Sequence, residues 1–160
     1  MGTSCAFIVD SSVAIKWAIP ESGSDLAARL WSARLLAPDL MRIECANVLW
    51  RLVARYGLPR DEAVSALEEL TTGPIVYHDT RALERDALEL ALALDHPVYD
   101  CCFLALARRE GIPLVTEDRR LAGVVGRAPQ AGVAVLTLAE AAAGLDRPTT
   151  PLPGNRPHAP

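Results

Sequence analysis

The sequence predicts an α/β fold: one domain built on a central, mainly parallel β-sheet flanked by α-helices. Short apolar runs without polar alternation (Cys5–Val9, Leu35-Leu36-Ala37, Leu114-Val115-Thr116) read as strands buried on both faces, as parallel sheets require. Longer segments of helical period separate these runs, so strands and helices alternate along the chain. The length, 160 residues, suits a single domain with a sizeable core, and 51% hydrophobic against 22% charged residues is the balance of a globular protein.

Each element follows from local signals. Cys5–Val9 stops abruptly at Asp10-Ser11-Ser12, and the two serines start a helix from Val13 to about Ala18, closed by Pro20. Ser22-Gly23-Ser24-Asp25 begins a second helix, to about Ala33, by its cap chemistry. After the strand at Leu35, Pro38-Asp39 launches a long helix to Tyr56 that ends at Gly57. Pro59-Arg60-Asp61 opens another, to about Leu70, and Ile75-Val76-Tyr77 is a weak strand. Leu83, Ala87, Leu90, Ala91 and Leu94 carry the helical period of Arg81–Leu94. Pro97 breaks that helix, Asp100 opens the next, and Gly111 caps it. A short helix over Asp118–Val125, a strand over Val133–Leu136 and a last helix, Leu138–Ala143, capped by Thr137, complete the fold. The folded domain is expected over residues 1–144. Residues 145–160, with five of the twelve prolines and almost no apolar content, are expected to be a disordered tail.

Composition narrows the function. A net charge of -4 gives no global field toward nucleic acid, although an acidic centre can carry a local basic rim. Sixteen basic residues include a single lysine, Lys16, and arginine is the better fork for phosphate. The four cysteines show neither CxxC spacing nor a disulfide framework and read as small buried hydrophobes. His78, His96 and His158 have no ligand-like spacing, which argues against zinc. Met1–Cys5 lacks a positive leader and no stretch approaches a membrane span, so the expected location is cytoplasmic. There is no GxGxxG or GxxxxGK[ST] phosphate loop, no GxSxG elbow and no DxD pair at Asp10, where Ser12 stands two residues on.

What the chain does carry is a set of carboxylates at one edge. The helix Asp100–Glu110 descends roughly 16 Å at about 1.5 Å per residue, and the following strand climbs back at about 3.3 Å per residue. Asp118 is thereby returned to the level of Asp100. Asp10 ends a strand, and Glu44 lies in the first turns of a helix that follows one. In open parallel sheets that edge is where ligands bind. The alternative reading of Asp10 is an aspartate that serves only as a helix cap. Glu44 shares a helix stripe with Val48, Arg51 and Arg55, which is either a solvated charged face or a carboxylate with arginines trailing along a phosphate path. Carboxylates crowded together raise one another's pKa unless a cation intervenes, and an all-oxygen, histidine-free set suits Mg²⁺ or Mn²⁺.

Four segments give these acids a family. FIVDSSVAIKW (Phe7–Trp17), IECANVLWR (Ile43–Arg51), YDCCFLALARREG (Tyr99–Gly111) and PLVTEDRRL (Pro113–Leu121) stand in the order and spacing of PIN-domain ribonucleases. The chain closely resembles the VapC toxins of bacterial type II toxin–antitoxin pairs, from about Phe7 to Leu138. The resemblance implies metal-dependent endonucleolytic cleavage of RNA, with Mg²⁺, or Mn²⁺ as its substitute, held by Asp10, Glu44, Asp100 and Asp118. It also implies an antitoxin that masks the acidic groove, and a homodimer. Ser12 and Thr116 match hydroxyl positions beside the first and fourth acids and would touch the ligands or the substrate. Glu117 sits where the family usually has a small or neutral residue. Adjacent strand residues point oppositely, so Glu117 and Asp118 cannot both face the cluster while the strand lasts; the resemblance selects Asp118 and leaves Glu117 as an additional candidate ligand. Cys101-Cys102 replaces the more usual small residues.

Arg51, Arg55 and Arg119 are the expected phosphate contacts. The expected substrate is a structured RNA with an exposed loop, because sequence-specific RNA readers target single-stranded loops. The rival readings are a PIN-like module that binds RNA or protein and cuts nothing, which the intact quartet argues against, and a DNA-directed nuclease on the same fold.

Overall fold

The computed structural model describes residues 5–145. Five parallel strands form one sheet in the order β3-β2-β1-β4-β5, made of β1 (Ala6–Val9), β2 (Arg34–Pro38), β3 (Ile75–His78), β4 (Leu114–Val115) and β5 (Val135–Leu136). The helices are α1 (Ser11–Ala18), α2 (Ser24–Arg29), α3 (Leu40–Tyr56), α4 (Arg60–Thr72), α5 (Glu84–Leu94), α6 (Val98–Glu110), α7 (Arg119–Gly126) and α8 (Leu138–Leu145). The predicted α/β class and parallel sheet are therefore what the chain adopts, with every strand pair parallel.

The apolar runs behave as their lack of alternation requires. Ile8, Val9, Leu35, Leu36, Leu114 and Val115 are wholly buried, so the three central strands are covered on both faces. Their register brings Ile8 opposite both Leu36 and Leu114, and Val9 opposite Val115. The C-terminal ends of β2, β1 and β4 thus lie side by side. One consequence the sequence left open is that the strands leading to Asp10, Glu44 and Asp118 are immediate neighbours.

Helix α6 is buried without a break from Cys101 to Ala107 and packs on α5, β1, β2 and β4. A helix apolar all round has to be a core helix, and this one anchors Asp100 at its first turn. The cysteines are free thiols, as expected; burial pushes the Cys45 thiol up to about 12 and that of Cys101 up to about 11, so both are inert core residues. Among the described residues no single helix is long and apolar enough to cross a membrane.

Several boundaries depart from the sequence reading for physical reasons. The second helix is not opened by a side-chain cap: Gly23, at the N-cap in a left-handed conformation (φ 86°), offers only its carbonyl, to the Ala27 N–H at 2.9 Å, while Ser24 Oγ accepts the Glu21 N–H at 3.0 Å. That helix is α-helical only to Arg29 and tightens into a 3₁₀ turn over Leu30–Ser32. Helix α3 does start after Asp39 as expected, but the Asp39 carboxylate does not bond the helix; it accepts the N–H of Thr80 at 3.0 Å and the Thr80 hydroxyl. Arg81–Leu94 begins as a 3₁₀ turn over Thr80–Leu83, because Asp79 caps it by accepting the Arg81 N–H at 2.9 Å. Helix α6 starts two residues early, at Val98, directly after Pro97. Thr137 does cap α8, in a reciprocal box: its hydroxyl accepts the Glu140 N–H at 3.2 Å and Glu140 Oε2 accepts the Thr137 N–H at 2.8 Å. The expected tail lies outside the described residues except for Leu145, which belongs to α8.

Candidate active site

Asp10 is the innermost acid. It ends β1, caps α1, and is buried, with 9% of its surface exposed. Oδ1 accepts the Ser12 N–H at 3.0 Å, the Ser12 hydroxyl at 2.6 Å and the Val13 N–H at 3.3 Å, and Oδ2 accepts the Thr116 hydroxyl. Burial raises its pKa, and these four donors oppose the rise. The cap reading and the site reading of Asp10 are thus compatible: the bonds that start the helix also fix the carboxylate.

Glu44 projects from the second turn of α3 beside it. Its carboxyl is pushed up to about 7, first by burial and then by the charges of Asp10 and Asp100, against a hydrogen bond from Ser11. Three acids from β1, α3 and α6 therefore share one electrostatic neighbourhood. Asp100, half-exposed at the start of α6, takes its contact from behind: His96 Nε2 lies 2.9 Å from Asp100 Oδ2.

Asp118 is placed differently. It caps α7, with Oδ1 accepting the N–H of Arg120 at 2.8 Å and of Leu121 at 3.1 Å. Its own N–H donates to Thr116 Oγ1 at 2.9 Å, one hydrogen bond removed from Asp10, but its charge is not among those that shift Glu44. Glu117 turns away: its N–H donates to Ser12 Oγ at 3.0 Å, and its Oε1 accepts the Leu138 N–H at 3.2 Å at the start of α8. Strand alternation could not have decided between the two acids, since β4 ends at Val115.

Ser12 and Thr116 both bridge the site, between the Asp10 carboxylate and the backbone after β4. Arg51 and Arg55 are exposed along α3 beyond Glu44, and Arg119 is exposed in the first turn of α7. Sequence reasoning missed His96 and Ser11. For His96 the available signal was its position four residues ahead of Asp100, the spacing at which helical side chains meet.

The chemistry of this donor set suits a hard, hydrated cation. It is all oxygen, and its members carry mutual repulsion that a positive charge would relieve. Among the described residues no group of three or more His, Cys, Asp or Glu side chains is placed to hold a metal ion by itself. Mg²⁺ does not need one, since it keeps several waters and takes one or two carboxylates directly.

Comparison with known proteins agrees with the arrangement. A PIN domain family model matches residues 7–127. Ribonuclease VapC3 of Pyrobaculum aerophilum is 38% identical over 119 residues, covering 72% of this chain and 91% of that protein. The fold is similar to that of Mycobacterium tuberculosis VapC20, described as a Sarcin-Ricin loop cleaving toxin (TM-score 0.58, 19% identity, 73% of this chain and 93% of that one). It is also similar to a chain in VapBC2 from Rickettsia felis, solved bound to a promoter DNA fragment (TM-score 0.60, 12% identity, 82% of this chain and 98% of that one). With most of its folded length matched and an acidic edge where the segment pattern puts it, the chain belongs to the PIN-domain family, among the VapC proteins.

Proposed function

We propose that this chain is a divalent-metal-dependent endoribonuclease and the toxin of a VapBC-type pair. The observation that carries the reading is the placement of Asp10, Glu44 and Asp100 together at the ligand-binding edge of a parallel sheet, near enough that the charges of Asp10 and Asp100 add to burial in raising the Glu44 carboxyl. Membership of the VapC group and a relative named as a ribonuclease support the activity.

Asp10 and Asp100 would hold Mg²⁺, or Mn²⁺ in its place, with Glu44 and Asp118 reached directly or through water. When bound, such an ion lowers the pKa of a water and neutralises charge building on a phosphate. The chain's own residues do the rest. Ser12 and Thr116 keep both Asp10 oxygens oriented through hydrogen bonds. Glu44, its carboxyl pushed up to about 7, is only partly ionised at neutral pH without a cation and would release its remaining proton when positive charge arrives. Arg51, Arg55 and Arg119 offer forked donors to successive phosphates. An RNA loop is the substrate that such an open edge suits, because its backbone can splay across the acids.

The partner we assign is a cognate antitoxin, and the active form a cytoplasmic homodimer. An apolar groove of about 550 Å³ between α3 and α4, lined by Leu49, Trp50, Val53, Val64 and Leu67, supports a protein partner, and Trp50 and Val64 are each 60% exposed in it.

The test is cleavage of a pool of structured cellular RNAs by antitoxin-free protein, with Mg²⁺, with Mn²⁺ and with chelator, beside Asp100→Asn. Discrete metal-dependent cuts that vanish in the variant are expected. Protein that binds metal yet cuts nothing in any pool overturns the nuclease, and cutting by Asp100→Asn at the wild-type rate overturns the site.

A further inference from the structure

Three polar side chains are buried among the described residues: Asp10, Thr116 and His96. The first two bond to each other. The third has its own acid. His96 is 2% exposed at its side chain, and its Nε2 lies 2.9 Å from Oδ2 of Asp100, whose side chain is 36% exposed. The imidazole is therefore the inner wall behind a carboxylate that opens outward.

The ring makes no other bond. Nδ1 is buried without a partner. A carboxylate oxygen is an acceptor, so the contact assigns the donated N–H to Nε2 and leaves Nδ1 as the ring nitrogen without a partner. Packing alone would be served better by an apolar side chain, which leaves no buried polar atom unsatisfied. The polarity at this position is spent on Asp100.

The mounting is rigid. Asp95 closes α5 in a left-handed conformation (φ 49°), the His96 N–H donates to Ala91 O at 3.2 Å, and Pro97 then caps α6 with φ −54°. Ring and carboxylate are thus fixed to opposite sides of the α5–α6 corner, four residues apart.

We infer that His96 is the positioning residue of Asp100: its Nε2–H pins Oδ2 and leaves Oδ1 presented to the cation. This rests on the metal-dependent reading above. Partners of this kind behind a metal-binding carboxylate are worth about 10–100-fold in metal affinity.

The experiment is Mn²⁺ titration of the antitoxin-free protein by calorimetry, with melting curves in chelator, for wild type, His96→Leu and His96→Gln. His96→Leu is expected to melt no lower than wild type, since it removes the unpaired Nδ1, and to bind Mn²⁺ about 10–100-fold more weakly. His96→Gln, which restores an N–H donor of similar reach, is expected to recover most of that affinity. In RNA cleavage at fixed Mg²⁺, His96→Leu lowers kcat and leaves KM for RNA unchanged. If His96→Leu does not fold, His96→Gln against His96→Met gives the same comparison at matched length. Equal Mn²⁺ affinity in wild type and the apolar variant overturns the inference, as does a loss that His96→Gln fails to restore. Wild type that binds Mn²⁺ but cuts no RNA overturns the nuclease alone; wild type that binds no Mn²⁺ overturns both.

Discussion

Thr116 donates its hydroxyl to Asp10 Oδ2 across the seam between β1 and β4, from a position 106 residues further along the chain, and accepts the N–H of Asp118 on the same oxygen. One buried hydroxyl thus sets the innermost acid and the start of α7 together. Thr116→Val keeps the shape and removes both bonds. Leaving a buried acceptor and an N–H unpaired costs about 1–3 kcal/mol each, so melting should fall by several degrees, at roughly 2–4 °C per kcal/mol for this size. Thr116→Ser should recover most of the loss. A Thr116→Val protein that melts with wild type in calorimetry would show that the hydroxyl carries no such role.

Glu44 gives the metal-free protein a pH dependence with a definite sign. Its folded pKa, about 7, lies above its ordinary 4.5, because burial and then the charges of Asp10 and Asp100 disfavour the ionised form. The folded state accordingly prefers the proton. The associated stability is complete below about pH 4.5 and is lost as pH rises through about 7. Glu44→Gln fixes the neutral form, so in chelator it should melt above wild type at about pH 8 and level with it near pH 4. Saturating Mg²⁺ should narrow the gap by stabilising wild type. Equal melting temperatures in chelator at about pH 8 would contradict this account.

How much of this was legible follows from the range of each interaction. Strands announced themselves because Ile8, Leu36 and Val115 must be apolar on both faces, and the reciprocal cap of Thr137 and Glu140 lies within four residues. Pro38-Asp39 marked the start of α3 correctly, but the bond from Asp39 to Thr80 was not legible, since Thr80 is 41 residues away and no local pattern points there. The choice between Glu117 and Asp118 depended on where β4 ends, a boundary set by pairing with β1 and β5 and not by the residues themselves. The edge shared by Asp10, Glu44 and Asp100 was readable because chain direction in a parallel sheet dictates it. The His96 contact was hidden by Pro97, which marks a helix boundary between two side chains that nevertheless meet.

Glu117 separates a scaffold role from a ligand role. Its Oε1 accepts the first N–H of α8, where the helix dipole favours a negative charge. Glu117→Ala should lower melting by about 1–3 °C while leaving Mn²⁺ affinity unchanged. Glu117→Gln keeps an acceptor and should fall between. A tenfold loss of Mn²⁺ affinity in Glu117→Ala would instead make it a ligand of the site.

Arg51, Arg55 and Arg119 are exposed on two helices that flank the acids, α3 running away from Glu44 and α7 beginning after Asp118. If they track the RNA backbone, each neutralises about one phosphate and releases the counterions condensed there. Replacing any one by Ala should therefore flatten the dependence of log K on log salt by about 0.7, the single-strand value per contact. Binding is best measured with Asp100→Asn and Ca²⁺, so that cleavage does not intervene. The effect should be similar for RNAs of different sequence, because phosphate contacts position a strand without reading its bases. Cleavage kinetics supply the complement: KM rises with kcat nearly constant, since a contact to a distant phosphate is as strong before the reaction as at its transition state. An arginine whose removal changes kcat and leaves the salt slope intact does not lie on the backbone path, and its contact must be sought at the scissile phosphate itself.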